Sequence, residues 1–195
     1  MPKHETHLER PLSALDVIFT RRSVRTYTGQ KIDQATIRAL LDAAVRAPTA
    51  MHAEPWLFLV IQDERTLNKY SDLTKTTALA ALEHHAALDM APNADRDRFL
   101  AALRDPGCSP FYGAGTLIVI YGRTKGSLVT ADCWLAAENL MLAACALGLG
   151  TCVIGAAVDA FNLADANEEF RLPADALAVA PIVVGVPAGP GADAP

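Results

Sequence analysis

Cys133-Trp134-Leu135-Ala136-Ala137-Glu138-Asn139-Leu140-Met141-Leu142-Ala143-Ala144-Cys145-Ala146-Leu147-Gly148-Leu149-Gly150-Thr151-Cys152-Val153-Ile154 is the longest apolar stretch of the chain, and its reading decides the fold. A membrane span is rejected, because Glu138 and Asn139 interrupt the run, Gly148 and Gly150 break it, and much of it is alanine. The spacing instead predicts a buried helix over residues 131 to 147, apolar around nearly its whole circumference. Such a helix must be covered on all sides. In a chain this short, a second subunit is expected to supply part of the cover, so a homodimer with this helix at or near its interface is predicted. Gly148-Leu149-Gly150 then closes the helix as a glycine cap and leads into a short strand over 151–154.

Working outward, two continuous apolar runs have the length and composition of strands buried on both faces. They are Trp56-Leu57-Phe58-Leu59-Val60-Ile61, with Pro55 at its start, and Thr116-Leu117-Ile118-Val119-Ile120-Tyr121, preceded by the breaker-rich Pro110-Phe111-Tyr112-Gly113-Ala114-Gly115. Residues 176–184 form a final strand. Between them the periodicity predicts helices over residues 11–25, with Leu12, Leu15, Ile18 and Phe19 at helical spacing, and over a segment capped by Asp33 and stopped by Pro48. Further helices are expected at 64–71, 77–89, 95–104 and 160–170, with a turn at Tyr27-Thr28-Gly29-Gln30. Strands separated by helices give an α/β or α+β sandwich without internal repeats. The Gly- and Pro-rich tail from residue 188 and the polar leader 1–10 are expected to be flexible.

One domain accounts for 195 residues of which 51% are hydrophobic and 20% charged. The formal net charge of −5 disfavours nucleic-acid binding. No apolar run opens the chain as a secretory signal would, so it reads as cytoplasmic and not membrane-bound. Cys108, Cys133, Cys145 and Cys152 form no CxxC pair or zinc spacing and read as reduced core thiols. His84 and His85 beside Glu83 do not make HExxH, and no metal is expected.

Against the acidic background, Arg21-Arg22-Ser23-Val24-Arg25 sets three guanidinium groups and a hydroxyl within five residues. Arginine's planar fork of donors suits a phosphate. If the first helix reaches Arg25, at least two guanidiniums share a face. Gly148-Leu149-Gly150 is not a dinucleotide fingerprint: position 153 is Val, and these glycines follow a helix instead of opening one. GxxxxGK[ST] and GxSxG are absent, which removes a P-loop hydrolase and a Ser-His-Asp hydrolase as leading readings.

Together, several separated segments resemble the FMN-dependent nitroreductase family. The arginine cluster is similar to its N-terminal phosphate motif. Ala47-Pro48-Thr49-Ala50-Met51-His52-Ala53-Glu54-Pro55-Trp56 resembles its Pro-Ser-x-x-Asn-x-Gln-Pro-Trp motif. Phe111-Tyr112-Gly113-Ala114, then Glu138-Asn139-Leu140 followed by Gly148 to Gly155, and Pro181 to Pro187 resemble its later ones, in the right order over residues 12 to 187.

The resemblance implies an α+β fold, a nitroreductase-like α-β-α sandwich with a central, mostly antiparallel sheet, as an intertwined homodimer with two interfacial FMN sites. It implies that Arg21, Arg22 and Ser23 hold the phosphate and ribityl end, with Arg25 as a further basic contact. Pro48, Thr49, Ala50 and His52 would line the flavin or ribityl chain from the other subunit. Ile154, Gly155 and Ala156 would lie beside the isoalloxazine, where a backbone N–H can reach N5. The implied activity is ping-pong reduction of nitroaromatic, quinone or similar flat acceptors by NADH or NADPH through flavin N5, so no catalytic acid, base or nucleophile is expected. The alternative is a flavin-binding carrier or sensor without turnover. Two departures stand out. His52 and Glu54 occupy the Asn and Gln positions of the second motif, and nothing basic follows Arg171, where family members tend to place a further phosphate contact.

Overall fold

The computed structural model describes residues 13–87, 94–123, 126 and 128–189; the leader, all but two residues of the tail and the side chains of Glu83, His84 and His85 lie outside the described residues. Its elements are α1 (Ala14–Thr20), α2 (Gln34–Ala44), β1 (Trp56–Ile61), α3 (Glu64–Ala87), α4 (Ala94–Arg104), β2 (Thr116–Gly122), α5 (Val129–Ala146), β3 (Gly150–Val153), α6 (Val158–Phe161), α7 (Ala164–Glu169) and β4 (Leu177–Gly185). The four strands form one fully antiparallel sheet in the order β1-β2-β4-β3.

Alternation along β2 divides the interior into two layers. Leu117, Val119 and Tyr121 face a core with Tyr70 of α3 and Phe161 of α6, whereas Ile118 and Ile120 face Leu40 of α2 and Ala136, Ala137 and Leu140 of α5. The result is the expected α-β-α sandwich. The β2–β4 register shifts between Ile120, opposite Ala180, and Tyr121, opposite Ala178. This bulge sends Val179 and Ala180 both to the α5 side and turns Ala178 to the other.

Several ends are set by local chemistry. Asp33 caps α2 by accepting from the Thr36 N–H at 2.8 Å, which holds its carboxyl below the usual carboxylate range. Gly148, at φ +73°, closes α5 with Gly148 N donating to Cys145 O and Leu149 N to Ala144 O. These are the two bonds of a Schellman cap.

Four expectations change. The first helix stops at Thr20, with Arg21 extended at φ −55°, ψ 134°, because the following residues pair instead with the far end of the chain: Ser23 bridges Thr151 and Tyr27 bridges Pro187. Residues 64–87 are one helix, since Asp72 to Thr76 include no breaker and the Thr74, Thr76 and Thr77 hydroxyls bond back to carbonyls of the same helix. Residues 160–170 divide into α6 and α7 at Asn162, whose side chain exchanges two hydrogen bonds with the backbone of Ala178. Finally, β1 is only half-buried along most of its length because it is a sheet edge, whereas β2 is buried throughout.

The long helix α5 buries a single stripe, Asp132, Cys133, Ala136, Ala137, Leu140, Met141 and Ala144. Trp134 and Leu135 are exposed, as are Leu15, Ile18 and Phe19 of α1. The apolar circumference noted in the sequence is therefore only half covered within one chain.

Candidate functional site

The chain is extended from Arg21 onward, and Arg21, Arg22 and Val24 border a hollow of about 210 Å³ together with Gly148, Leu149, Gly150 and Thr151. The segment lies along β3, with Val24 N donating to Thr151 O at 2.9 Å. Close approach is possible because position 150 is glycine; a Cβ there would sit 2.8 Å from the Val24 Cβ. Cys152 follows on the same strand. Burial pushes its thiol up, and Arg25, Ser23 and Arg21 oppose that rise from nearby. Burial likewise raises the Tyr112 phenol, with Cys152 adding to the rise and Arg25 opposing it.

The guanidiniums differ in how they are engaged. Arg21 Nε lies 3.8 Å from Glu138 Oε1, a loose, partly exposed pair worth little in itself. Arg22 turns back and donates from Nη1 to Phe19 O at 2.8 Å and Arg21 O at 2.7 Å, which closes the end of α1. Among the described residues, neither Arg22 nor Arg25 forms an ion pair.

The chain leaves β3 through Ile154 into a 3-10 turn at Gly155–Ala157. Ile154 is buried, Ala156 half-buried and Gly155 exposed. A Cβ at Gly155 would meet nothing within 4 Å. This open space is part of a cavity of about 240 Å³ lined by Ile154, Gly155 and Ala156 with Tyr112, Cys108 and α4 side chains that include Phe99 and Leu103. No charged side chain lines it. The arginine face and the Gly155 opening thus sit at one strand, β3, with Cys152 and Tyr112 between them.

Pro48, Thr49, Ala50 and His52 are attached elsewhere. Their loop enters β1, and β1 and β3 are opposite edges of the sheet, three inter-strand spacings or about 14 Å apart. Within one protomer, the structure does not bring the two groups together. The loop is unusual in itself: Met51, His52 and Glu54 adopt φ of 56°, 53° and 42°, a left-handed conformation that costs a non-glycine residue about 1–2 kcal/mol. Its Ala50 N–H reaches Asp132 Oδ1 of α5 at 3.2 Å.

Sequence reasoning gave no role to Tyr112, Phe99, Leu103 or Asp132. The first sits in a quoted motif, but its left-handed φ of 54° beside Gly113 at 72° has no residue-type signal. Among the described residues, no His, Cys, Asp and Glu group could hold a metal, and no helix is long and apolar enough to cross a membrane. The described cysteines are all free, Cys133 and Cys152 buried and Cys108 and Cys145 half-buried, so only the first two are core thiols.

The sequence model of the nitroreductase family matches residues 18–186, and the chain belongs to that family of oxidoreductases. Protein DrgA of Synechocystis is 30% identical over 181 residues, covering 88% of this chain and 82% of the relative. An Archaeoglobus fulgidus protein bearing the name "Putative NADH dehydrogenase/NAD(P)H nitroreductase" is 28% identical over 173 residues, with 89% and 84% covered. A Bacteroides fragilis nitroreductase crystallised with bound FMN superposes with a TM-score of 0.76 at 22% identity over 94% of this chain and 93% of that one.

Proposed function

We propose that this protein is an FMN-dependent NAD(P)H oxidoreductase that reduces flat, electron-poor acceptors such as nitroaromatics and quinones by ping-pong exchange, acting as a cytoplasmic homodimer with one flavin-binding domain per chain. The observation that carries this reading is the joining, at β3, of a guanidinium face to an uncharged cavity that opens on Gly155. A flavin mononucleotide has the same two ends, a dianionic phosphate and an apolar ring, and the residues fit it.

In this reading, Arg21, Ser23 and Arg25 bind the phosphate and ribityl end through charge-assisted hydrogen bonds. Arg22 holds the Phe19 and Arg21 carbonyls through Nη1 and has Nε and Nη2 left to add to the same anion. Ile154, Gly155 and Ala156 offer backbone and small side chains to the ring. When bound, FMN would supply the redox chemistry, hydride exchange at N5 between a nicotinamide donor and the acceptor. The protein's part is placement and the exclusion of competing charge. Phe99 and Leu103 of α4 wall the cavity, so α4 contributes directly to the choice of acceptor. A cavity without a charged side chain favours neutral acceptors. NADH and NADPH are both retained as donors, as in the names of relatives.

The homodimer is supported by the half-covered α5 and the adjoining apolar face of α1. It is supported also by the separation of Pro48, Thr49, Ala50 and His52 from Gly155, because a second copy can bring that loop to the flavin where one copy cannot. Steady-state rates measured over a grid of NADH and quinone concentrations are expected to give parallel double-reciprocal lines. Intersecting lines would rule out the shared-site exchange, and bound flavin without turnover would point to a carrier or sensor.

A further inference from the structure

We infer that Asp132 is the positioning residue that fixes the flavin-lining loop of residues 48–54, and so sets FMN affinity through the backbone without touching FMN; this rests on the function proposed above. Asp132 lies in the first turns of α5 and is 5% exposed, an uncommon situation for a carboxylate unless it holds a partner. Its Oδ1 accepts from the Ala50 N–H at 3.2 Å. The two residues belong to elements far apart in the chain, so the bond is a tertiary tie.

The loop depends on such a tie. Its other hydrogen bonds are internal: Glu54 N to Thr49 Oγ1 at 3.4 Å, His52 N to Thr49 O at 3.4 Å and Ala53 N to Ala50 O at 3.0 Å. Among the described residues, the Asp132 bond is the one that joins residues 49–54 to another element. Internal bonds alone do not fix where the loop sits relative to α5, and left-handed backbone at Met51, His52 and Glu54 persists only when its surroundings over-determine it. A carboxylate accepting from a backbone N–H is a directional anchor, and with Asp132 buried its loss leaves a polar group without its partner. Beside it, burial, with the Asp132 charge adding to it, pushes the Cys133 thiol up to about 11.

The test uses hydrogen–deuterium exchange in the FMN-free protein together with FMN binding followed by fluorescence quenching. Asp132→Ala is expected to raise exchange at the 50–54 amides and to weaken FMN binding about tenfold, while the β2 amides stay protected. Asp132→Asn, which keeps an acceptor oxygen, is expected to restore both toward the parent values. Where Asp132→Ala loses β2 protection, Ala50→Pro takes its place. It deletes the donor instead of the acceptor, and Thr49 already holds the extended φ −130°, ψ 150° that a residue before proline adopts. Unchanged exchange at 50–54 would overturn the anchoring. Raised exchange with unchanged FMN affinity would overturn the link from the anchor to the cofactor. If the parent protein itself binds no FMN, the proposed function fails, while the exchange data still decide the anchor separately.

Discussion

Replacing Arg21 and Arg25 together by alanine is expected to weaken FMN binding by about a hundredfold or more and to leave the thermal transition near its parent value. In the proposed site the two side chains flank Ser23, and each would donate to the phosphate and ribityl end of the flavin. Hydrogen bonds to a charged group contribute about 1.5–3 kcal/mol each, so losing two gives at least that factor. Little fold stability is at stake. Arg21 has one loose contact with Glu138 at 3.8 Å, and Arg25 is exposed. Isothermal titration with FMN and a melting curve on the same sample check both halves. Equal affinity in the double variant would remove the phosphate assignment, whereas a large fall in melting temperature would show that the arginines are structural. Arg22→Ala makes the useful contrast, since its guanidinium closes α1 and its loss should register in melting more than in binding.

Gly155→Val should abolish flavin-dependent turnover, lowering kcat/KM by about a hundredfold or more, which corresponds to losing at least about 2.7 kcal/mol of transition-state stabilisation. The Cβ of the new side chain meets no atom within 4 Å in the protein alone, so the apoprotein is expected to fold. It projects instead into the cavity shared by Ile154, Ala156 and Tyr112, the space assigned to the isoalloxazine. The expected signature is an intact circular dichroism spectrum and melting curve with lost flavin retention or lost turnover. Parent kinetics in this variant would place the ring elsewhere.

Most of the architecture was legible because its signals are local. Asp33 before α2, the uninterrupted apolar runs of β1 and β2, and glycine after α5 each act within a few residues of where they stand. The two-sided apolar character of β2 follows from its place inside the sheet between β1 and β4. That of β1 misled for the same reason, since composition does not distinguish a central strand from an edge that waits for more cover. Non-local pairing was illegible. No breaker stands between Thr20 and Arg25, and the helix ends there because Ser23 finds Thr151, a partner that periodicity does not reveal.

The candidate site divides along the same line. Arginine clustering and small residues after β3 could be read from residue type. The cavity wall from α4, the left-handed Tyr112 and the Asp132 anchor depend on how distant segments pack, and neither Met51, His52 nor Glu54 announces a positive φ in the way a glycine would. The separation of Pro48 to His52 from Gly155 is a property of strand order alone. It gives a physical reason why the family resemblance assigns that loop to a second subunit.

The most direct test of the central claim is the visible spectrum of the protein incubated with FMN, freed of excess by gel filtration, and then mixed with NADH or NADPH without oxygen. The account predicts a retained flavin absorption that bleaches with at least one of the two nucleotides and returns when a quinone is added. A protein that emerges colourless, or one whose retained flavin neither nucleotide bleaches, would contradict it.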